Sequence, residues 1–262
     1  MGKQIALVTG GSRGLGRAIA MELACRGWHV VVNYKRNGRE AEATLRRIGE
    51  AGGTAELYQA DVQEPAQVER MFKGVLRTHR RLDLLVNNAG ITRDGYFLMM
   101  EPADWDQVLA TDFSGAFRCC RMAAAIMAVA RHGVIINIGS SSALSARPGQ
   151  VNYGTAKAGL LGLSRSLARE LAPKGIRVLT VAPGLIATDM AGAVPSDVVQ
   201  ATVARIPLGR WGEPADIARA VAFFASEDGH NFSGQVVVAD GGRTALELEY
   251  GLAALEEAGG SG

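Results

Sequence analysis

Ile5-Ala6-Leu7-Val8 runs directly into Thr9-Gly10-Gly11-Ser12-Arg13-Gly14-Leu15-Gly16, and a helical period follows in which Leu15, Ile19 and Leu23 share one face. An apolar run, a glycine-rich turn and an amphipathic segment describe a strand feeding a helix, the opening unit of a parallel α/β sheet. Glycines let such a turn bend sharply and approach an anion, and the N–H groups and dipole at the helix start supply partial positive charge. Gly10, Ser12, Arg13, Gly14, Leu15 and Gly16 are therefore candidates to cradle the pyrophosphate of a dinucleotide. Tight strand-to-helix packing alone is the alternative reading.

Outward from this turn the pattern repeats. Strands are expected at Trp28 to Asn33, Ala55 to Ala60, Leu82 to Val86, Val134 to Ile138, Ile176 to Val181 and Gln235 to Ala239. Between them lie helical segments at Arg39 to Ala51, Pro65 to Thr78, Pro102 to Arg131, Tyr153 to Ala172 and Pro214 to Ala225. Strands spaced by helices imply right-handed crossovers and one seven-stranded parallel sheet with helices on both faces, a doubly wound Rossmann-like α/β fold. Residues 1–242 form this one domain. Residues 243–262 form a C-terminal extension, expected as a frayed helix and flexible end, with Leu246, Leu248, Leu252 and Leu255 available to pack on a neighbour.

Of the 262 residues, 48% are hydrophobic and 21% charged, a balance that supports a large core and argues against disorder. The 28 basic and 26 acidic side chains leave +2, with no basic stripe, so nucleic acid is not an expected partner. The longest apolar run, Met122 to Ala130, is half a bilayer span, and no signal-peptide pattern opens the chain. A soluble, cytoplasmic protein without membrane attachment is expected. Cys25, Cys119 and Cys120 lack metal or disulfide spacing and read as reduced packing residues. His29, His79, His132 and His230 are scattered along the chain, and no metal site is expected from them.

The second strand ends Asn33-Tyr34-Lys35-Arg36, without the carboxylate that would hydrogen-bond the 2′-hydroxyl of NAD. NADPH fits better, because Arg13 with Lys35 or Arg36 can meet its extra phosphate; solvated surface cations are the plainer reading. Further on, Ser140 stands at a strand end and Tyr153 and Lys157 share a helix face. A lysine cation favours the phenolate and makes tyrosine a usable general acid, while a serine hydroxyl can polarise a carbonyl as hydride arrives. Alone, Tyr-x-x-x-Lys is usually an exposed helix face; behind a phosphate turn it points to a reductase.

Together with Asn87-Asn88-Ala89-Gly90, Tyr153-Gly154-Thr155-Ala156-Lys157 and Pro183-Gly184-Leu185-Ile186-Ala187-Thr188, these motifs resemble the short-chain dehydrogenase/reductase family over Gln4 to Gly242. Through Ile91-Thr92-Arg93-Asp94, Val151-Asn152-Tyr153 and Asp240-Gly241-Gly242 the chain is most similar to the bacterial 3-oxoacyl-acyl-carrier-protein reductases. The resemblance implies Tyr153 as proton donor, Ser140 as carbonyl orienter, and Lys157 on the nicotinamide ribose. It implies Asp61 and Val62 beside the adenine, Asn88, Ala89 and Gly90 along the adenosine side, and Pro183, Gly184, Ile186 and Thr188 near the carboxamide. The implied reaction is NADPH-dependent reduction of a 3-oxoacyl thioester on acyl carrier protein, in fatty acid or polyketide-type synthesis. Another ketone or alcohol substrate, or a cofactor-binding subunit without chemistry, stays open.

Three further expectations follow from the resemblance. Arg131 and Lys174 would meet the acidic carrier protein. The helix from Ala103 to Arg131, with Phe113, Phe117, Met122, Ile126 and Met127, would help build a homotetramer. Thr111-Asp112-Phe113 departs from the family's Thr-Asn-Leu, putting a carboxylate where an asparagine normally borders the catalytic lysine.

Overall fold

The computed structural model describes residues 2–188 and 196–245. Seven parallel strands form one sheet: β1 (Ile5–Val8), β2 (His29–Tyr34), β3 (Thr54–Gln59), β4 (Leu84–Asn87), β5 (Gly133–Ile138), β6 (Ile176–Pro183) and β7 (Val236–Ala239). Their order is β3-β2-β1-β4-β5-β6-β7. Chain direction through the sheet therefore reverses between β1 and β4, where an α/β fold opens a crevice beyond the strand ends. Leu7 stands in register with Val31 on one side and Leu85 on the other.

The inner strands are buried on both faces, which is why they read as continuous apolar runs, while the edge strands β3 and β7 are only partly covered. On one face Val8, Val30, Val32 and Val86 pack under α1 (Gly14–Cys25) and α8 (Pro214–Ala225) through Ile19, Leu23, Ile217 and Val221. On the other, Leu7, Val31, Leu85 and Ile135 meet Met71, Phe72 and Val75 of α3 (Pro65–His79) and Cys119, Ala123 and Met127 of α5 (Ala116–Ala130). The remaining helices are α2 (Gly38–Glu50), α4 (Pro102–Val108), α6 (Val151–Leu171) and α7 (Ser196–Val203), the last of which has no counterpart in the sequence reading.

Three expectations are corrected. The single helix expected over Pro102 to Arg131 contains a π-helical stretch, Leu109–Gly115, between α4 and α5. Its wider turn, typical of functional sites, is centred on Asp112. This continuous helical run, 29 residues over Pro102–Ala130, is long and apolar enough by length and composition to cross a bilayer, with 33% of its apolar window buried. Its apolarity serves partly the core, since Met127 is fully buried, and partly the surface, where Phe117 is 46% and Val129 88% exposed. Cys25 is exposed rather than packed, while Cys119 and Cys120 are buried. The histidines are not all scattered, because His29 and His79 meet with ring centroids 4.8 Å apart. The expectations for the C-terminal extension fall almost wholly outside the described residues.

Candidate active site

The glycine turn crosses from the end of β1 to α1 at the point where strand order reverses. Gly10 has φ +62°, a left-handed conformation that a β-carbon resists, and a β-carbon on Gly16 would lie 2.2 Å from the Gly10 carbonyl oxygen. The helix is thus drawn tightly against the turn. No side chain caps α1 among the described residues, and its first turn carries no acidic residue. Its leading N–H groups are left for an anion, as a pyrophosphate cradle needs.

Residues outside the glycine motif hold this turn in place. Thr9 Oγ1 accepts the N–H groups of Asn88 and Ala89, each at 3.0 Å. Asn88 Nδ2 donates to the carbonyls of Thr9 and Gly10 at 3.0 and 3.1 Å, so its side chain braces the loop. Asn33 is 2% exposed; its Oδ1 accepts the Gly10 N–H at 3.3 Å and its Nδ2 donates to the Ala60 carbonyl at 3.0 Å. Where an acidic residue would have contacted a ribose, this chain has an asparagine that ties three strand ends together.

The cations proposed for the extra phosphate are exposed around this turn. Lys35 Nζ pairs with Asp61 Oδ2 at 2.6 Å, which also links two residues expected on the adenosine side. Arg13 and Arg36 make no side-chain ion pair among the described residues. Val62 is buried, and it lies so close that a β-carbon on Gly115 of the π stretch would be 2.8 Å from its Cγ2. Thr188 reaches the far side of the phosphate turn, its Cγ2 lying 3.9 Å from where a β-carbon on Gly14 would sit. The chain from Pro183 to Thr188 is pinned by the Gly184 N–H to Ala239 (2.9 Å), by the Ala187 N–H to Gly212 (2.8 Å) and by the Ile186–Gly212 bridge.

Ser140 stands two residues past the end of β5, and Tyr153 and Lys157 lie on the first turns of α6, which packs against the turn that follows Ser140. Ser140 is buried, and its Oγ accepts the Ser142 N–H at 3.1 Å, leaving its own O–H free to donate. Lys157 is 4% exposed; its Nζ donates to the Ile138 carbonyl at 3.1 Å and sits 5.5 Å from the Tyr153 ring centroid. Asn152, fully buried, aligns the neighbouring tyrosine, its Oδ1 accepting the Tyr153 N–H at 2.7 Å while Nδ2 donates to the Arg93 carbonyl at 2.9 Å.

Asp112 completes the arrangement from the π stretch. Its Oδ1 accepts the Ile91 N–H at 2.8 Å, and its Oδ2 lies 3.2 Å from Lys157 Nζ as an ion pair rather than an aligned hydrogen bond. Gly90 makes room for the pair, since a β-carbon there would be 2.7 Å from Asp112 Oδ2 and 3.4 Å from Lys157 Nζ. Burial holds the Asp112 carboxyl above the usual carboxylate range, and Lys157 and the Ile91 N–H only partly offset it. Burial by itself favours the neutral amine of Lys157, but the Asp112 charge and Tyr153 outweigh it and hold the ammonium above its usual range. A buried hydroxyl, a phenol and a stabilised cation at the end of a dinucleotide cradle can polarise and protonate a carbonyl.

Arg131 and Lys174 are brought together, but elsewhere. They precede β5 and β6, at the amino ends of the strands, and Arg131 Nη2 donates to the Pro173 carbonyl at 3.0 Å. A cleft of about 820 Å³ lined by Trp28, His132, Arg177 and His230 opens at that same end, away from Tyr153.

A family model described as Enoyl-(Acyl carrier protein) reductase matches residues 10–244. The chain is 44% identical over 237 residues to the 3-oxoacyl-[acyl-carrier-protein] reductase FabG of Staphylococcus aureus (strain Mu50), spanning 90% of this chain and 96% of that protein. It is 41% identical over 240 residues to a 3-oxoacyl-[acyl-carrier-protein] reductase of Synechocystis sp., spanning 91% and 96%. The crystal structure of a Sinorhizobium meliloti 1021 protein assigned as a short-chain alcohol dehydrogenase matches with a TM-score of 0.89 at 34% identity, covering 94% of this chain and 98% of that one. The resemblance carried by the glycine turn and the Tyr153 segment is thereby borne out, and the chain belongs to the short-chain dehydrogenase/reductase family of nicotinamide-dependent oxidoreductases.

Proposed function

We propose that this protein reduces a 3-oxoacyl thioester, carried on acyl carrier protein, to the 3-hydroxyacyl thioester with NADPH. The observation that carries the proposal is the placement of Lys157 Nζ, 5.5 Å from the Tyr153 ring centroid and bonded to the Ile138 carbonyl two residues before Ser140, in a fold whose α1 starts uncapped. The names of its 44% and 41% identical relatives supply the substrate class.

Bound NADPH supplies the hydride that adds to the carbonyl carbon. Ser140 donates its O–H to the carbonyl oxygen, which draws charge toward that atom as the bond forms. Tyr153 then gives its phenolic proton to the same oxygen, completing the alcohol. Lys157 Nζ, anchored by the Ile138 carbonyl, places positive charge near the phenolate left behind and lowers the cost of that transfer. Asp112 keeps the lysine charged. Gly10, Ser12, Gly14, Leu15 and Gly16 hold the pyrophosphate; Arg13 and Arg36, with Lys35, select NADPH over NADH. Asp61, Val62, Asn88, Ala89 and Gly90 border the adenosine, and Pro183, Gly184, Ile186 and Thr188 the nicotinamide end.

The enzyme works as a cytoplasmic homotetramer. Phe117 and Val129 are exposed on α5, and Thr155, Ala158 and Gly162 on the neighbouring α6, so the two helices offer a surface that a second copy can cover. Reduced cysteines fit a reducing compartment. Because Arg131 and Lys174 lie at the amino ends of the strands, a carrier protein held by them serves the active site of a neighbouring subunit.

Following NADPH consumption with an acetoacetyl and a crotonyl thioester in parallel tests the reaction. Ketone reduction with little turnover of crotonyl thioester is expected. Reduction of the crotonyl thioester alone would instead favour the enoyl reaction in the family model's description.

A further inference from the structure

His29 opens β2, Glu56 lies within β3, and His79 ends α3, so three residues far apart in sequence meet beside the sheet edge. One ligand atom from each lies within 4.8 Å of the other two. His79 Nε2 is 2.8 Å from Glu56 Oε1, and the His29 and His79 rings face each other at 4.8 Å, tilted by 47°. His29 Nε2 is sealed from solvent and has no hydrogen-bond partner. A buried ring nitrogen without a partner is costly, and satisfied histidines in a core do not leave one. Burial and the adjacent His79 also push the His29 imidazole down, toward the neutral form that offers a lone pair.

We propose that His29, Glu56 and His79 bind one divalent transition-metal ion of the zinc class. Two imidazoles and one carboxylate are a borderline-soft set suited to zinc, cobalt or nickel and poorly matched to calcium or magnesium. Tetrahedral bonds of roughly 2.0–2.2 Å place ligand atoms roughly 3.3–3.5 Å apart, so the ion enters with small side-chain rotations that part His79 from Glu56. A fourth position stays open to water. The ion ties the last turn of α3 to β2 and the edge strand β3. Lys3, whose field reaches His29, is the opposing charge, with its Nζ donating to Thr54 Oγ1 at 3.1 Å. The cluster lies at the amino end of β2, so the ion stabilises the fold and takes no part in the reduction.

The test uses the metal-stripped, tag-free full chain, titrated with ZnCl2 by calorimetry and with CoCl2 by visible absorption, and melted with and without one equivalent of zinc. One equivalent per chain should bind, cobalt should give the intense bands of a four-coordinate site, and the melting temperature should rise. His29→Ala and His79→Gln should each weaken zinc binding at least tenfold with kcat for ketone reduction unchanged, and Lys3→Gln should tighten it. Cys25→Ser, which removes the exposed thiol, should leave binding intact. Absence of saturable binding, binding insensitive to both histidine substitutions, or binding lost with Cys25 would overturn the proposal. Should a histidine variant not fold, Glu56→Gln decides: weakened binding supports the site, and unchanged binding overturns it.

Discussion

Asp112 Oδ2 lies 3.2 Å from Lys157 Nζ, and both groups are sealed from solvent inside the active-site wall. An asparagine there would hold the Ile91 N–H equally well but would bring no charge. The carboxylate holds the Lys157 ammonium above its usual range, whereas with an asparagine there burial would favour the neutral amine that can no longer support the tyrosine. Asp112→Asn should move the alkaline limb of the alcohol-oxidation profile to lower pH, on the order of one unit. Ketone reduction, which needs the protonated phenol, should persist. An unmoved profile in pH-resolved steady-state kinetics would show that the charge has no electrostatic role.

Gly16 and Gly49 should answer the same substitution in opposite ways. At Gly16 a new methyl would strike the Gly10 carbonyl at 2.2 Å and part the phosphate turn from α1. Gly16→Ala should weaken NADPH binding about tenfold or more, roughly 1.4 kcal/mol, by fluorescence titration. Gly49, inside α2, has open space around it. Gly49→Ala should stabilise the protein by about 0.5–1 kcal/mol in denaturant melts and leave NADPH binding unchanged.

Asn87, Asn137 and Thr180 occupy matched positions on β4, β5 and β6 and form a polar row through an otherwise apolar layer. Asn137 Oδ1 accepts from Asn87 Nδ2 and its Nδ2 donates to Ser164 Oγ, each at 2.8 Å, and Ser164 and Thr180 share a further bond at 2.8 Å. Asn137→Ala removes both of its bonds in a buried row, leaving Asn87 Nδ2 with only the weak Cys120 Sγ acceptor and Ser164 Oγ with only Thr180. A loss of about 2–3 kcal/mol is expected in urea unfolding. A loss under 1 kcal/mol would mean that the row does not bind the layers together.

Light scattering should show a particle larger than the 27.6 kDa chain, and Phe117→Arg should shift it toward smaller species. Reversing the charge of Arg131 and Lys174 together should raise KM for a carrier-bound substrate and spare a small thioester, with the difference shrinking at high salt. Equal effects on both substrates would rule out docking at these residues.

Much of this architecture is legible in the sequence because each buried strand is a short apolar run and the glycine turn marks the first crossover. Ser140, Tyr153 and Lys157 were legible through their spacing and motif context. What could not be read arises from contacts between distant residues. Asn33 braces Gly10, and Asn152 reaches Arg93 from 59 residues away, through side-chain bonds to backbone that leave no periodic trace. The π stretch keeps the apolar pattern of an ordinary helix, so its widened turn at Asp112 was invisible. His29 and His79 meet only because β2 begins where α3 ends, at the amino ends of the strands.

The most direct test of the central claim is Tyr153→Phe, which removes the phenolic proton and keeps the ring. NADPH should bind this variant with nearly the wild-type dissociation constant, while turnover of the acetoacetyl thioester falls by several orders of magnitude. Reduction at close to the wild-type rate, with NADPH bound, would contradict the assignment of Tyr153 as proton donor and with it the mechanism proposed for this site.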